Sequence, residues 1–154
     1  MKTHSWPALL AIALVGFPFL TGAAAPDPVK SVVIIAGDSM KFSVTRIDAR
    51  PGQTIHIQLK NEGTLPKQVM GHNWIVLRAG SDTSAYAAAA LSAKDQNYQP
   101  TSLAGEVLAA IALVGAKETG EVTFDAPLQP GSYPFLCSFP AHCQVGMRGE
   151  LVVK

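Results

Sequence analysis

The sequence predicts an all-β protein, an antiparallel sandwich or small barrel interrupted by one short helix. Three observations point there. From residue 31 onward the chain falls into short apolar or alternating runs divided by Gly, Pro and Asp turns, the pattern of strands in a layered β domain. A single segment, "SDTSAYAAAALSAKDQNY" at 81–98, breaks that pattern with alanine in place of β-branched residues. Residues 26–154 form a stretch of the size that one core serves, and no linker, repeat or compositional shift divides it.

Taken in order, residues 1–25 read as an export signal rather than as fold. Lys2 and His4 give a polar start, Ala8 to Leu20 an apolar run, and Ala23-Ala24-Ala25 a small-residue cleavage pattern. That run is shorter than the roughly 20 residues a bilayer span needs, so removal after Ala25 is expected, leaving 26–154 as a single domain without a transmembrane segment. "SVVIIAG" (31–37) reads as a strand buried on both faces, and "MKFSVTRI" (40–47) as an alternating one. After the turn "RPGQ", "QTIHIQLKN" (53–61) alternates Ile55, Ile57 and Leu59 with His56 and Gln58. "NWIVL", "GEVTFDA", "SYPFLCSF" and "RGELVVK" complete the strand set. Alanine is the best helix former, and Ser81 or Asp82 offers a cap, which places a helix over Thr83–Ser92. "LAGEVLAAIALVGA" (103–116) permits helix, but Gly105, Gly115 and the strand that follows favour extended structure. Pro134 has no N–H for a ladder, so a bulge or an outward-facing edge is expected there.

Charge excludes one class of function. The chain has 12 Lys and Arg against 11 Asp and Glu, and loss of residues 1–25 removes only Lys2, leaving 11 of each. A nucleic-acid surface needs a basic excess; this balance favours partners docking through apolar contact or local charge pairs.

The chemistry concentrates in "CSFPAHCQVGM" (137–147). Four residues separate Cys137 from His142, and four more separate His142 from Met147. His72, in "VMGHNW", is the natural second imidazole. Two histidines, a thiolate and a thioether are the donor set of a blue-copper site, with His2Cys in a plane and Met on the axis. Two other readings compete on the same residues. One is a disulfide between Cys137 and Cys143, the only cysteines, since an oxidising compartment favours pairing of exposed thiols. Zinc also accepts His, His and Cys, although methionine is a poor fourth ligand for it.

Three segments carry a family likeness: "GTLPKQVMGHNW" (63–74), "GEVTFDA" (120–126) and "CSFPAHCQVGMRGELVVK" (137–154). Together they resemble a cupredoxin of the azurin and auracyanin type, and the alanine-rich helix falls where azurins carry a helical flap. The resemblance implies a Greek-key β-sandwich, one type 1 copper ion, and outer-sphere electron transfer in the periplasm as a monomeric blue copper protein. It implies His72, Cys137 and His142 as equatorial ligands, Met147 as the axial ligand and the Gly71 carbonyl on the opposite side. Asn73 and Ser138 match positions that tie the ligand loops together. Leu65, Met70, Pro140 and Ala141 match the apolar rim around His142 at which redox protein partners would dock.

The chain departs from the azurin pattern in two places. The spacing from His142 to Met147 is one residue longer than is usual in azurins and closer to auracyanin. The azurin disulfide near the N-terminus has no cysteines here.

An enzyme reading is disfavoured, because copper oxidases and nitrite reductases place a histidine beside the copper cysteine, and here Leu136 and Ser138 flank it. A copper chaperone or storage protein is the alternative, although the chain lacks Met-rich or His-rich tracts. If Cys137 binds metal, Cys143 is a small residue beside the ligand histidine, and slow oxidation of metal-free protein to a Cys137–Cys143 bridge is expected. His56 is expected to face solvent or a second layer, Met40 to end a strand or enter the core, and Trp74 to fill the core.

Overall fold

The computed structural model describes residues 1–2 and 28–154. The expected export signal lies, apart from its first two residues, outside the described residues. Among the described residues, alternation along the chain produces eight strands: β1 (Lys30–Ala36), β2 (Arg46–Ala49), β3 (Thr54–Asn61), β4 (His72–Leu77), β5 (Val107–Val114), β6 (Thr119–Asp125), β7 (Gly131–Leu136) and β8 (Arg148–Val153). Two helices interrupt them, α1 (Lys67–Met70) and α2 (Thr83–Ala90), along with 3-10 turns at Lys94–Gln96 and Thr101–Glu106. The strands form two sheets, β1-β3-β6 and β2-β8-β7-β4-β5.

The periods explain which faces meet. Ile55, Ile57 and Leu59 of β3 are fully buried, as are Trp74 and Val76 of β4, Phe135 of β7 and Leu151 of β8. Together they form the layer between the sheets. Each such side chain contributes about 1.5–3 kcal/mol on leaving water. Trp74 occupies the centre, 5.4 Å from Phe135 and 6.1 Å from Phe124 by ring centroids. All six residues of β4 are buried, because its other face, Ile75 and Leu77, is covered by Tyr86 and Ala87 of α2. Asp82 caps that helix by accepting from the Ser84 and Ala85 N–H groups at 2.8 and 3.3 Å. Gly120 lets β6 approach β5: a Cβ there would lie 2.3 Å from Ile111.

Several expectations are corrected. The sandwich is mixed: β1 runs parallel to β3 and β2 parallel to β8. The chain leaves the small sheet after β1, visits the large one as β2 and returns as β3, and such a crossover brings β3 alongside β1 in the same direction. "SVVIIAG" is buried on one face only, with Val33 48% exposed, because the outer face of the three-stranded sheet is open to solvent, as the alternating burial along β3 and β6 also shows. Within "MKFSVTRI" only Arg46 and Ile47 are strand; residues 40–45 make the crossing between sheets, with Met40 at φ 52° and Phe42 plugged into the core. The helix ends at Ala90 rather than Ser92.

"LAGEVLAAIALVGA" is extended from Val107, as expected. Helix α1 and the turn before Val107 are too short to leave a periodic signal. Pro134 sits neither in a bulge nor on an edge strand. Its partner across β8 is Glu150, whose N–H donates to Thr45 O at 2.9 Å, away from β7. Pairing of that kind turns the nitrogen of Pro134 toward β4, and the β4 ladder has already ended at Phe135. The missing donor therefore breaks nothing.

Candidate metal centre

The site is assembled where β4 begins and β7 ends. Extended backbone carries "YPFLC" to the edge of the core, so Leu136 and Cys137 point to opposite faces. Leu136 enters the outer cluster under α2, and Cys137 the main core. The following loop folds back on itself: His142 N–H donates to Phe139 O (3.1 Å), Met147 N–H to His142 O (2.9 Å) and Cys137 N–H to Met147 O (3.0 Å). Gly146, at φ 95°, and Ala141, at φ 70°, make the turns this closure requires. One hydrogen-bonded loop thus fixes Cys137, His142 and Met147.

His72 arrives from the other side. Helix α1 ends at Met70, and Gly71 passes so close to its neighbours that a Cβ would stand 2.6 Å from Lys67 O and 2.9 Å from Leu113. The Asn61 side chain holds this turn, its Nδ2 lying 3.4 Å from both Met70 O and Val114 O while its Oδ1 accepts from Gly63 N–H. His72 Nε2 lies 3.1 Å from Gly37 O, so it carries the proton and leaves Nδ1 as a bare lone pair. That Nδ1 is buried and has no hydrogen-bond partner.

The three donors converge. Ligand atoms of His72, Cys137 and His142 lie within 4.8 Å of one another, and all three residues are buried. Cys137 Sγ is 3.4 Å from His142 Nδ1, and the two imidazole centroids are 4.9 Å apart. Met147, wholly buried, belongs to the same core.

Burial sets the protonation of the group. It pushes the Cys137 thiol up to about 12, against the pull of backbone N–H groups of Asn73 and Phe139. It takes His142 down to about 4, helped by neighbouring His72. His72 is lowered by burial too, opposed by its bond to Gly37 and the charge of Asp38.

A cluster of neutral donors, one of them an orphaned lone pair, fits a cation that ionises the thiol and takes up both nitrogens. Sulfur with imidazole and no carboxylate selects a soft or borderline metal over magnesium or calcium.

Most expected residues are therefore brought together, and Asn73 and Ser138 lie where expected. Ser138 N–H donates to Asn73 Oδ1 (2.8 Å), and Asn73 Nδ2 donates to Ser138 Oγ (2.8 Å) and Asn97 O (3.0 Å). Trp74 and Met40 join the core as expected. His56 stays on the outer face of β3, its Nδ1 2.9 Å from Thr123 Oγ1.

The disulfide reading is corrected. Both cysteines are free, and Cys143 faces the outer cluster with its Sγ 3.6 Å from Thr83 O, on the opposite side of the β7 strand from Cys137.

Sequence reasoning missed Gly37, Asn61, Asn97 and Tyr98, whose roles depend on contacts distant in sequence. It also missed Val69 and Val145, 58% and 47% exposed on the two loops that carry the site. A readable signal for these last two existed, an apolar residue in each ligand loop.

A buried His2Cys cluster with methionine beside it, at one end of a Greek-key sandwich, defines a blue copper protein of the cupredoxin class. The chain belongs to the plastocyanin/azurin family of copper binding proteins, whose profile matches residues 29–154. It is 35% identical over 127 residues to azurin of Pseudomonas denitrificans, a match covering 80% of this chain and 98% of that one. Among solved structures it is similar to auracyanin A, a "blue" copper protein of Chloroflexus aurantiacus. That match has TM-score 0.72 and 32% identity, and covers 82% of this chain and all of the other. It is similar also to dithionite-reduced auracyanin of Roseiflexus castenholzii, with TM-score 0.72 and 29% identity over 81% of this chain and 97% of that one. Copper is accordingly the cofactor, and electron transport the class of activity.

Proposed function

We propose that this chain is an exported, periplasmic carrier that takes single electrons from one redox protein and gives them to another as a monomer. In this reading His72, Cys137 and His142 would hold the copper ion, with Met147 and the Gly71 carbonyl as the further donors. The observation that carries it is the convergence of three buried donor atoms within 4.8 Å, with His72 Nδ1 left unpartnered. Bound copper supplies the Cu(II)/Cu(I) couple.

The chain's residues do the rest. The closed 137–147 loop and the Asn73–Ser138 bonds hold the donors still, so little has to move when charge changes. Burial excludes water, and the metal would take up all three buried donors, His72 Nδ1 included, which favours a carrier over an enzyme. His142 is 2% exposed, and Leu65, Val69, Met70, Pro140, Ala141 and Val145 lie on the two loops around it. That apolar rim suits a brief, small-area redox encounter. Among the described residues no helix is long and apolar enough to cross a membrane.

The test is the visible spectrum of copper-loaded residues 26–154 beside Cys137→Ser. An intense thiolate-to-copper band is expected in the first and none in the second; a band of equal strength in both would remove Cys137 from the site.

A further inference from the structure

Two successive non-glycine residues after the flap helix, Asn97 and Tyr98, have φ of 55° and 58°. Asparagine enters this left-handed region readily, but a bulky aromatic residue does so only where its surroundings fix it. Asn97 N–H donates to Lys94 O (3.1 Å) and Tyr98 N–H to Ala93 O (2.9 Å), and the turn aims both carbonyls at the ligand loops. Asn97 O accepts from Asn73, the neighbour of His72, and Tyr98 O accepts from Ser138 Oγ at 2.6 Å, beside Cys137. The hydroxyl proton of Ser138 is thereby committed to Tyr98, which leaves its oxygen lone pairs for Asn73. The Tyr98 ring, 7% exposed, meets Phe139 edge-on at 5.1 Å, and Phe139 in turn lies 4.8 Å from the His142 ring.

We propose that Tyr98 is a positioning residue for the metal centre, acting from a segment that supplies no ligand. Its carbonyl fixes Ser138 and hence the exit of Cys137 from β7. Its ring fixes Phe139 and hence the tilt of His142. One residue of the flap therefore sets the relative placement of two donors and, through the bonded Asn73, their distance to the third. Groups that orient metal ligands in this way tune affinity without touching the ion. The proposal rests on the reading of these donors as the copper site.

The experiment compares parental protein with Tyr98→Phe, Tyr98→Leu and Leu103→Ala, the last a trimming of the outer cluster under the flap, away from the ligand loops. Three quantities are read: copper affinity by competition titration, the His142 ring resonances of metal-free protein, and the thermal midpoint. Tyr98→Phe keeps the ring and is expected to behave as parental. Tyr98→Leu is expected to weaken copper binding about 10-fold and to move the His142 resonances. Leu103→Ala should lower the midpoint and move neither.

Parental affinity together with parental His142 resonances in Tyr98→Leu would overturn the proposal, whatever its midpoint. Should Tyr98→Leu not fold, Phe139→Leu removes the same ring contact from the loop side and is judged by the same readings. Absence of a thiolate-to-copper band in the parental protein would instead overturn the copper assignment, and the metal-free resonances would then decide the positioning role alone.

Discussion

At the scale of single residues, burial governs how the donors hold protons. His142 ordinarily titrates near 6.5 but is taken to about 4 by burial, then by His72. His72 moves in the same direction for the same main cause. Between those two values the unfolded chain binds more protons than the folded one, so folding weakens as pH falls. Metal-free protein should therefore keep its full stability above about pH 6.5 and lose it progressively toward pH 4. Denaturant midpoints measured across that window check this, and a midpoint that held or rose on acidification would contradict the buried placement of the imidazoles. Gly71 illustrates a different constraint. Its backbone conformation, φ −69°, is one any residue adopts, and what excludes a side chain is the 2.6 Å approach of Lys67 O.

At the scale of elements, the flap and the closed loop do separate jobs. Helix α2 covers the outer face of β4 and β7 with Tyr86 and Ala87 and shields Cys143, while the turn behind it at residues 97–98 reaches the ligand loops. Asp82 holds the first turn of the helix by two bonds to backbone N–H groups. Asp82→Ala should lower stability by about 1 kcal/mol, read as a shift of the urea midpoint. The copper band should stay unchanged, because the tether lies at the other end of the segment. A loss of the band with this variant would show that the helix and the site are one unit.

At the scale of the whole molecule, the five-stranded sheet delivers both ligand segments to one end through its neighbouring strands β4 and β7, and the charges nearly balance. Residues 26–154 carry 11 Lys and Arg against 11 Asp and Glu, and the docking rim proposed around His142 is made of apolar residues. Long-range steering by charge is then weak. Electron self-exchange of copper-loaded protein should change by less than about twofold between about 0.01 and 0.15 M ionic strength. It should also far outpace copper loss to a chelator. A steep salt dependence would place docking at charged groups, and fast metal loss with negligible exchange would favour copper transport over electron transport.

Local rules determined much of this protein from the sequence alone. Periods of two marked most strands, four consecutive alanines marked the flap, and the ligand types of 137–147 were legible because one loop carries them at fixed spacing. His72 was legible too, from its place in "VMGHNW"; only the tertiary structure decided which face Cys143 takes and that Gly37, Asn97 and Tyr98 stand behind the donors. Those contacts join residues 35 apart at His72 and Gly37, and 65 apart at Asn73 and Ser138. The first arises from the packing of the two sheets against one core, the second from the pairing of β4 with β7 inside the larger sheet. No local periodicity records that arrangement, because it follows from burying both inner faces at once.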